Sequence, residues 1–162
     1  PMFIPQNQTG EVRVAHPSFE EDIMAGDDRL TKTTVRDAVA SLSDLSSDRD
    51  VWVYRSSTAP IPIIRNEELI LLYAEAKINL SEFTDAVDAL NIIRTTHNLP
   101  IYSGAQTFDA LIDELLYQRR YSLYYEGHRW IDVRRYNKLE SLPIDRTGDN
   151  VWEEFPLPIT EE

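Results

Sequence analysis

The chain has 162 residues, a formal net charge of −12 and no cysteine. Its length suits one domain with a single core. The charge argues against nucleic acid and anionic membrane surfaces as partners, because like charges repel, and the absence of cysteine excludes disulfides and thiolate metal sites. No apolar run approaches the roughly 20 residues of a membrane span. No signal peptide precedes Pro1. Because the sequence starts abruptly at Pro1, we expect a piece of a longer protein.

The first 64 residues predict little regular structure. Five prolines and two glycines interrupt this segment. The alternating run DVWVY at 50–54 favours a short strand or hairpin arm. The polar run SLSDLSSDRD at 41–50 is typical of a surface loop. We therefore predict an irregular arm over residues 1–64.

Two helices with a short connection are predicted from Asn66 onwards. Asn66 is the predicted N-cap, and Ser81 interrupts the pattern. The apolar stripe of the first helix is Leu69, Ile70, Tyr73, Ala76 and Leu80, and that of the second is Phe83, Ala86, Val87, Leu90 and Ile93. The connection is so short that the helices must be antiparallel. The pair is similar to a tetratricopeptide (TPR) unit, in which small residues and an aromatic occupy such offsets.

A third and a fourth helix are predicted after residue 106. The third begins after a Thr107 cap, runs to about Glu126 and stops at Gly127. Its stripe is Phe108, Leu111, Ile112, Leu115, Leu116, Arg119 and Leu123. The fourth runs from Arg129 to about Asn137, with Trp130 and Val133 inward. The tail is proline-rich and acidic, and its FPLPI at 155–159 predicts a strap packed back on the helices.

Residues 117–136 form a basic, aromatic island. The island has five arginines and two acids, so it carries +3 in a chain of −12. It is either a surface for phosphate or carboxylate ligands or an internal ion-pair framework. We favour the framework because Arg119 lies on an apolar stripe. In that interpretation Arg119, Arg129 and Arg135 pair with Glu126, Asp132, Asp113 and backbone carbonyls.

The sequence offers little support for catalysis. The three histidines are far apart and lack metal-ligand spacing, and there is no phosphate-binding loop or nucleophilic-serine motif. The acids lie mainly in first helical turns or in exposed runs. We therefore expect no metal, no cofactor and no enzyme activity, although a carboxylate-pair hydrolase stays as a third alternative.

Aromatic residues in loops suggest where a sugar would bind. Trp52, Tyr54 and Tyr102 lie in loop or edge context, where an aromatic plane can stack on the C–H face of a sugar ring. Arg55 is a polar neighbour for the hydroxyl groups. An uncharged ligand also suits an acidic surface. Ordinary partial burial is the alternative for each ring, and we place Tyr73 and Trp130 in the core.

Five segments together resemble one family. They are GDDRL at 26–30, RNEELILLYAEAKI at 65–78, ALNIIR at 89–94, QRRYSLYYEGHRWIDVRR at 118–135 and FPLPITEE at 155–162. The last four are similar to the C-terminal half of SusD/RagB-type lipoproteins, and the first to that family's G-D-P-R-L segment. Gln118 and Ser122 replace two acids of the pattern, and Asp28 replaces a proline. Losing those acids removes partners for the arginines, so we expect a local rearrangement of the framework.

The resemblance implies an all-α fold of TPR-like helical hairpins with long irregular loops and at most a short β-hairpin. It divides the chain into an arm, 1–64, and a C-terminal helical region with its strap, 65–162, in one compact domain. It implies no ligand residue, because the family's ligand loops vary. The motif residues that would hold the helices together are Arg65, Glu68, Glu75, Asn91, Arg94, Arg119, Glu126, Gly127, Arg129, Asp132 and Arg135.

The implied function is oligosaccharide binding during polysaccharide utilisation in Bacteroidetes. Such proteins lie at the extracellular face of the outer membrane and pass their ligand to a SusC-like TonB-dependent transporter. Their lipid anchor, the only membrane contact, is missing from this chain. The alternative is a TPR-type scaffold that binds a peptide or protein partner.

Overall fold

The computed structural model describes residues 3, 5–10 and 12–154. It is mostly helical, as predicted, and has a small two-stranded antiparallel sheet. In chain order the elements are α1 (Ser18–Glu21), β1 (Thr33–Leu42), β2 (Leu45–Val51), α2 (Asn66–Asn79), α3 (Phe83–Thr96), α4 (Phe108–Ser122) and α5 (Arg129–Arg135). Short 3-10 turns span Asp28–Lys32 and Leu139–Ser141. None of the described helices is long and apolar enough to cross a membrane.

Helices α2, α3 and α4 form the main core. Three residues connect α2 to α3, and α4 packs against both helices. Alanines at the α2–α3 contact let the two backbones approach closely. The buried side chains are Leu71, Ala74, Ile78, Ala86, Val87, Ala89, Leu90, Ile93, Leu111, Ile112, Leu115 and Leu116. The predicted inward faces of α3 and α4 are therefore confirmed, except that Phe108 is exposed.

The predicted inward face of α2 is wrong. Leu71, Ala74 and Ile78 point into the core, whereas Leu69 and Tyr73 are each 50% exposed. The cause is that α2 is apolar on almost every side, so the spacing of its apolar residues does not select one face. Trp130 of α5, which was also predicted to lie in the core, is only half-buried.

Two helix boundaries also differ from the prediction. Asn66 is the first residue of α2 and Arg65 is its N-cap. Helix α4 ends at Ser122, four residues before Glu126. A turn over residues 123–127 follows, and Gly127 within it has a φ of +83°, which glycine adopts without strain. Side-chain cations bond to the last carbonyl groups of this helix, as described below.

Residues 41–50 are not the surface loop that their composition predicts. They supply the end of β1, the turn and most of β2. Ser43 and Asp44 both have positive φ, as a type I′ hairpin turn requires. Asp50 in β2 is buried because it accepts hydrogen bonds from the Asn7 amide and from Arg36. The strand predicted at 50–54 ends at Val51.

A second, smaller core attaches the arm to α4. Ala15, Phe19 and Tyr121 are buried together, with Ile23, Leu30, Tyr117 and Tyr124 packed around them. The Phe19 ring centroid lies 5.0 Å from that of Tyr121 and 4.2 Å from that of Tyr124.

Two expectations about the ends of the helical region stay predictions. The boundary at residue 64 between the arm and the helical region is one of them. The other is the FPLPI strap at 155–159, which lies outside the described residues.

Candidate functional site

Residues 26–33, here called the anchor segment, are bonded to the C-terminal end of α4. Lys32 Nζ donates to the carbonyl oxygens of Tyr121 (2.7 Å) and Ser122 (2.5 Å). Arg29 Nη1 donates to the Gln118 carbonyl (3.3 Å) and to Ser122 Oγ (2.8 Å). The last carbonyls of a helix lack amide partners and form the negative end of its dipole, so cations stabilise them.

The charge of Arg29 is neutralised where it is buried. Its Nε and Nη2 atoms donate to the two carboxylate oxygens of Asp27, at 2.9 and 2.6 Å, and both side chains are almost fully buried. Burial alone would raise the pKa of Asp27, but the hydrogen bonds and charge of Arg29 lower it overall. Burial also lowers the pKa of Lys32, to about 8. A buried pair of this kind fixes geometry more than it adds stability.

A chain of ion pairs connects the anchor segment to α2 and α3. His97 lies within 2.7 Å of Asp28 and 2.8 Å of Glu67. Arg65 donates to Glu67 (2.9 Å), to Glu126 (2.5 Å) and to the Ser122 carbonyl (2.5 Å). Burial would raise the pKa of Glu67, but bonds from His97 and Ser122 and nearby positive charge lower it to about 2.

Three of the four predicted ligand residues lie in one segment beside the anchor segment. The Trp52 amide donates to the Lys32 carbonyl (2.7 Å), and the Trp52 ring centroid lies 6.5 Å from that of Phe3. Arg55 is exposed and donates to the Thr31 carbonyl at 3.3 Å. Trp52 and Tyr54 are half-buried. The anchor segment therefore fixes the backbone that carries these side chains.

Tyr102, the fourth predicted ligand residue, lies elsewhere. Its amide donates to Asn91 Oδ1 (2.7 Å), its hydroxyl donates to the Ala105 carbonyl (3.0 Å), and its ring lies 6.0 Å from the Arg94 guanidinium. Burial raises its pKa. In the described structure no hydrogen bond or ring contact joins Tyr102 to the segment 52–55.

Two concave regions lie away from all four predicted ligand residues. An apolar groove of about 390 Å³, here called the α2–α3 groove, is lined by Leu69, Ile70, Tyr73, Asp85, Asp88, Ala89 and Ile92. A polar hollow of about 610 Å³ lies between the β1–β2 turn and the loop 145–149. Among the described residues, no three His, Asp or Glu side chains are placed to hold a metal ion.

The family model described as the SusD family matches residues 30–154, which is most of the chain. The chain belongs to the SusD family.

Two relatives in the SusD family illustrate the match. A SusD-like protein from Formosa agariphila is 35% identical over 48% of this chain. A crystal structure of a SusD superfamily protein from Bacteroides vulgatus is similar to 48% of the chain at 35% identity, with a TM-score of 0.46. The chain covers 17% of the length of each relative.

In this SusD-family chain several motif residues join helices. Arg94 Nη1 donates to Glu114 (2.6 Å) and its Nε to the Pro100 carbonyl (2.7 Å), which links α3 to α4. Gln118, which replaces a family acid, donates to the same Glu114 at 2.7 Å. An amide therefore stands in place of the lost carboxylate, and Gln118 and Arg94 both donate to Glu114.

Helix α5 is held by a second set of SusD-family motif residues. Arg119 and Asp132 form a buried pair at 2.7 Å between α4 and α5. Arg135 lies 3.4 Å from Asp132 and 2.7 Å from Glu75 of α2, and Glu75 also accepts from the Tyr136 hydroxyl at 2.6 Å. These pairs join α2, α4 and α5.

Other motif residues have partners that differ from the framework interpretation. Arg129 donates to Ser141 Oγ at 3.3 Å, and it forms no salt bridge with a carboxylate of the described residues. Glu126 pairs with Arg65 instead of an island arginine. Asp113 pairs with Lys138 at 2.7 Å, and Glu68 lies 3.9 Å from His128. Of these residues only Glu126 lies in the turn over 123–127 that follows α4.

The bonds made by Asp27, Arg29, Lys32 and His97 were not predicted from the sequence. The GDDRL motif at 26–30 contains Asp27 and Arg29, but the motif indicates no contact for them, and it contains neither Lys32 nor His97. A motif in an irregular segment does not indicate that its partner lies about 90 residues away, at the end of another helix.

Proposed function

We propose that this chain is the C-terminal portion of a glycan-binding protein of the cell surface. The full protein binds an oligosaccharide at the extracellular face of the outer membrane, is held there by a lipid anchor, and passes the ligand to a SusC-like TonB-dependent transporter. Its role is to bind and transfer ligand without catalysis. Membership of the SusD family is the observation that carries this proposal.

The segment 52–55 is the surface that we propose for the sugar. The Trp52 ring supplies an apolar plane, and the exposed Arg55 guanidinium supplies donors for hydroxyl groups. The Trp52 amide bond to the Lys32 carbonyl holds the backbone, and the bond to the Thr31 carbonyl orients the Arg55 guanidinium, before a ligand arrives; this reduces the entropic cost of binding. Tyr54 extends the same surface, whereas Tyr102 would contribute to a separate one.

Replacing Trp52 with alanine is expected to weaken oligosaccharide binding about tenfold. The reason is that one good aromatic contact contributes up to about 1.4 kcal/mol, which is a tenfold change in Kd. The measurement is isothermal titration calorimetry against glycans selected on an array. Trp152→Ala is the control because it removes the same side chain from another part of the chain, where the tryptophan is 59% exposed.

Equal losses in Trp52→Ala and Trp152→Ala would contradict the assignment of the surface to residues 52–55. Tyr102→Phe keeps the ring but removes the hydroxyl that donates to Ala105, and we expect it to change affinity less than Trp52→Ala. No saturable response to any glycan on the array would contradict the glycan function itself.

The α2–α3 groove favours a second candidate function, a TPR-type scaffold for a helical peptide. Leu69, Tyr73 and Ile92 are each at least 50% exposed in it, and Asp85 and Asp88 contribute negative charge. A complementary partner presents apolar residues at helical spacing with lysine or arginine beside them. The groove lies apart from the segment 52–55, so the two candidates can be tested separately.

Ile92→Asp is expected to reduce peptide binding at least tenfold because it places a charge in the apolar groove. The probe is an array of 15-residue amphipathic peptides with flanking lysines. Leu80→Asp, an equally drastic change at an exposed leucine outside the groove, is the control and should bind as the unmodified chain does. Equal binding by Ile92→Asp and Leu80→Asp would reject the scaffold function.

A further inference from the structure

Both ring nitrogens of His97 face carboxylates that belong to different elements. Nδ1 lies 2.7 Å from Asp28 Oδ1 in the anchor segment, and Nε2 lies 2.8 Å from Glu67 Oε1 in α2. An ionised carboxylate only accepts hydrogen bonds, so both contacts are satisfied at once only when both nitrogens carry a proton. A neutral ring donates to one carboxylate and turns a lone pair toward the other.

Only the Glu67 contact of His97 is largely shielded from water, because the Asp28 side chain is 48% exposed. The His97 side chain is 17% exposed and that of Glu67 19%. Arg29 of the anchor segment opposes a positive charge on the ring, whereas Glu67 and Asp28 favour it. The positive charge of Lys32 lowers the pKa of Glu67, and Arg65 forms an ion pair with Glu67. The charged side chains around His97 therefore belong to the anchor segment, to the first turn of α2 and to Arg65, which directly precedes α2.

We propose that His97 is a pH-dependent clamp that holds the anchor segment against α2 and α3. With both ring nitrogens protonated, His97 bridges Asp28 to Glu67. Loss of one proton releases one of these carboxylates and loosens the anchor segment. Because the Trp52 amide is bonded to the Lys32 carbonyl at 2.7 Å, the segment 52–55 then loses part of its support.

The expected pH dependence has a definite sign. The hydrogen bond to Glu67 is the main cause that raises the pKa of His97 above the free value of about 6.5. The clamp's contribution is therefore complete below about pH 6.5 and is lost as the pH rises through the raised pKa. Lys32 acts in the opposite direction, because its pKa is lowered to about 8 and stability then rises with pH above that value. Glu67 stays ionised throughout this range because its pKa is about 2.

The test follows His97 and the anchor segment by NMR, without any ligand. We expect the His97 ring signals to titrate with a midpoint above about 6.5. Over the same range, hydrogen exchange of the Trp52 amide should lose about tenfold in protection, after correction for the intrinsic pH dependence of exchange. Glu67→Gln should move the His97 midpoint down, because the ring then loses its main acceptor charge.

His97→Gln separates the clamp from other effects of pH. Glutamine keeps a donor but does not titrate, so Trp52 amide protection should no longer fall as the pH rises through the His97 midpoint, and only the opposite effect of Lys32 above about pH 8 should remain. His16→Gln is the matched control, since His16 also pairs with an aspartate, Asp145, at 3.0 Å; it should retain the pH dependence. A His97 midpoint at or below about 6.5, or an unchanged pH dependence in His97→Gln, would overturn the proposal.

Discussion

Arg119→Ala is expected to lower the free energy of unfolding by about 3–5 kcal/mol. Arg119 and Asp132 are each only 4% exposed and bond at 2.7 Å. Removing the guanidinium leaves a buried carboxylate whose remaining cation, Arg135, is 3.4 Å away. Urea unfolding followed by circular dichroism measures the change.

Arg129→Ala is the matched control for Arg119→Ala, from the same island. Arg129 is half-buried and donates to Ser141 Oγ at 3.3 Å, so we expect a loss of about 1 kcal/mol or less. The framework interpretation gives both arginines equal roles, whereas the structure pairs Arg119 with a carboxylate and Arg129 with a hydroxyl group. Equal destabilisation by the two variants would refute this distinction.

Arg29→Ala is expected to have a comparable effect, about 3–5 kcal/mol, because it leaves the buried Asp27 without its cation. The variant also loses the bonds to Gln118 and Ser122. The anchor segment should then detach locally, so limited proteolysis should cut near residues 26–33 before the helices unfold.

Arg55→Ala provides the comparison for Arg29→Ala. Arg55 also bonds to the anchor segment, through the Thr31 carbonyl, but its side chain is exposed. A surface substitution of this kind usually changes stability by about 0.5 kcal/mol or less. If Arg55→Ala and Arg29→Ala give the same proteolysis pattern, the buried pair is not what holds the segment.

The helices were predictable where their sequences distinguish an inside from an outside. In α3 and α4 the apolar residues occupy one face, and Leu90 and Leu115 are buried as their spacing predicts. In α2 both Leu71 and Leu69 lie on apolar faces, and only packing against α3 and α4 selects Leu71. Periodicity carries no information when every face is apolar.

The hairpin was less predictable because its second strand is polar. Strand β2 reads LSSDRDV, with few residues that favour strands. Its place is determined by bonds to distant residues, such as those of Asp50 to Asn7 and Arg36. Such tertiary partners override local propensity, and a single sequence does not show them.

The candidate site was also only partly predictable from the sequence. The position of Trp52 and Arg55 in a loop was predictable from the chain around them, whereas their attachment through Lys32 and Thr31 was not. Arg119 was predictable as a buried cation because it lies on an apolar stripe. His97 gave no signal, because its two carboxylates lie 30 and 69 residues away in sequence.

The bonds of Lys32 and Arg65 to the end of α4 depend on the position of its backbone and not on its side chains. Lys32 and Arg65 bond to main-chain carbonyls at Tyr121 and Ser122, and every amino acid supplies the same oxygen there. One residue inserted within α4 would instead rotate those oxygens by about 100° and move them by about 1.5 Å. Substitutions that leave α4 and its packing intact would therefore keep the acceptors of Lys32 and Arg65 in place, while a single insertion or deletion in α4 would move them.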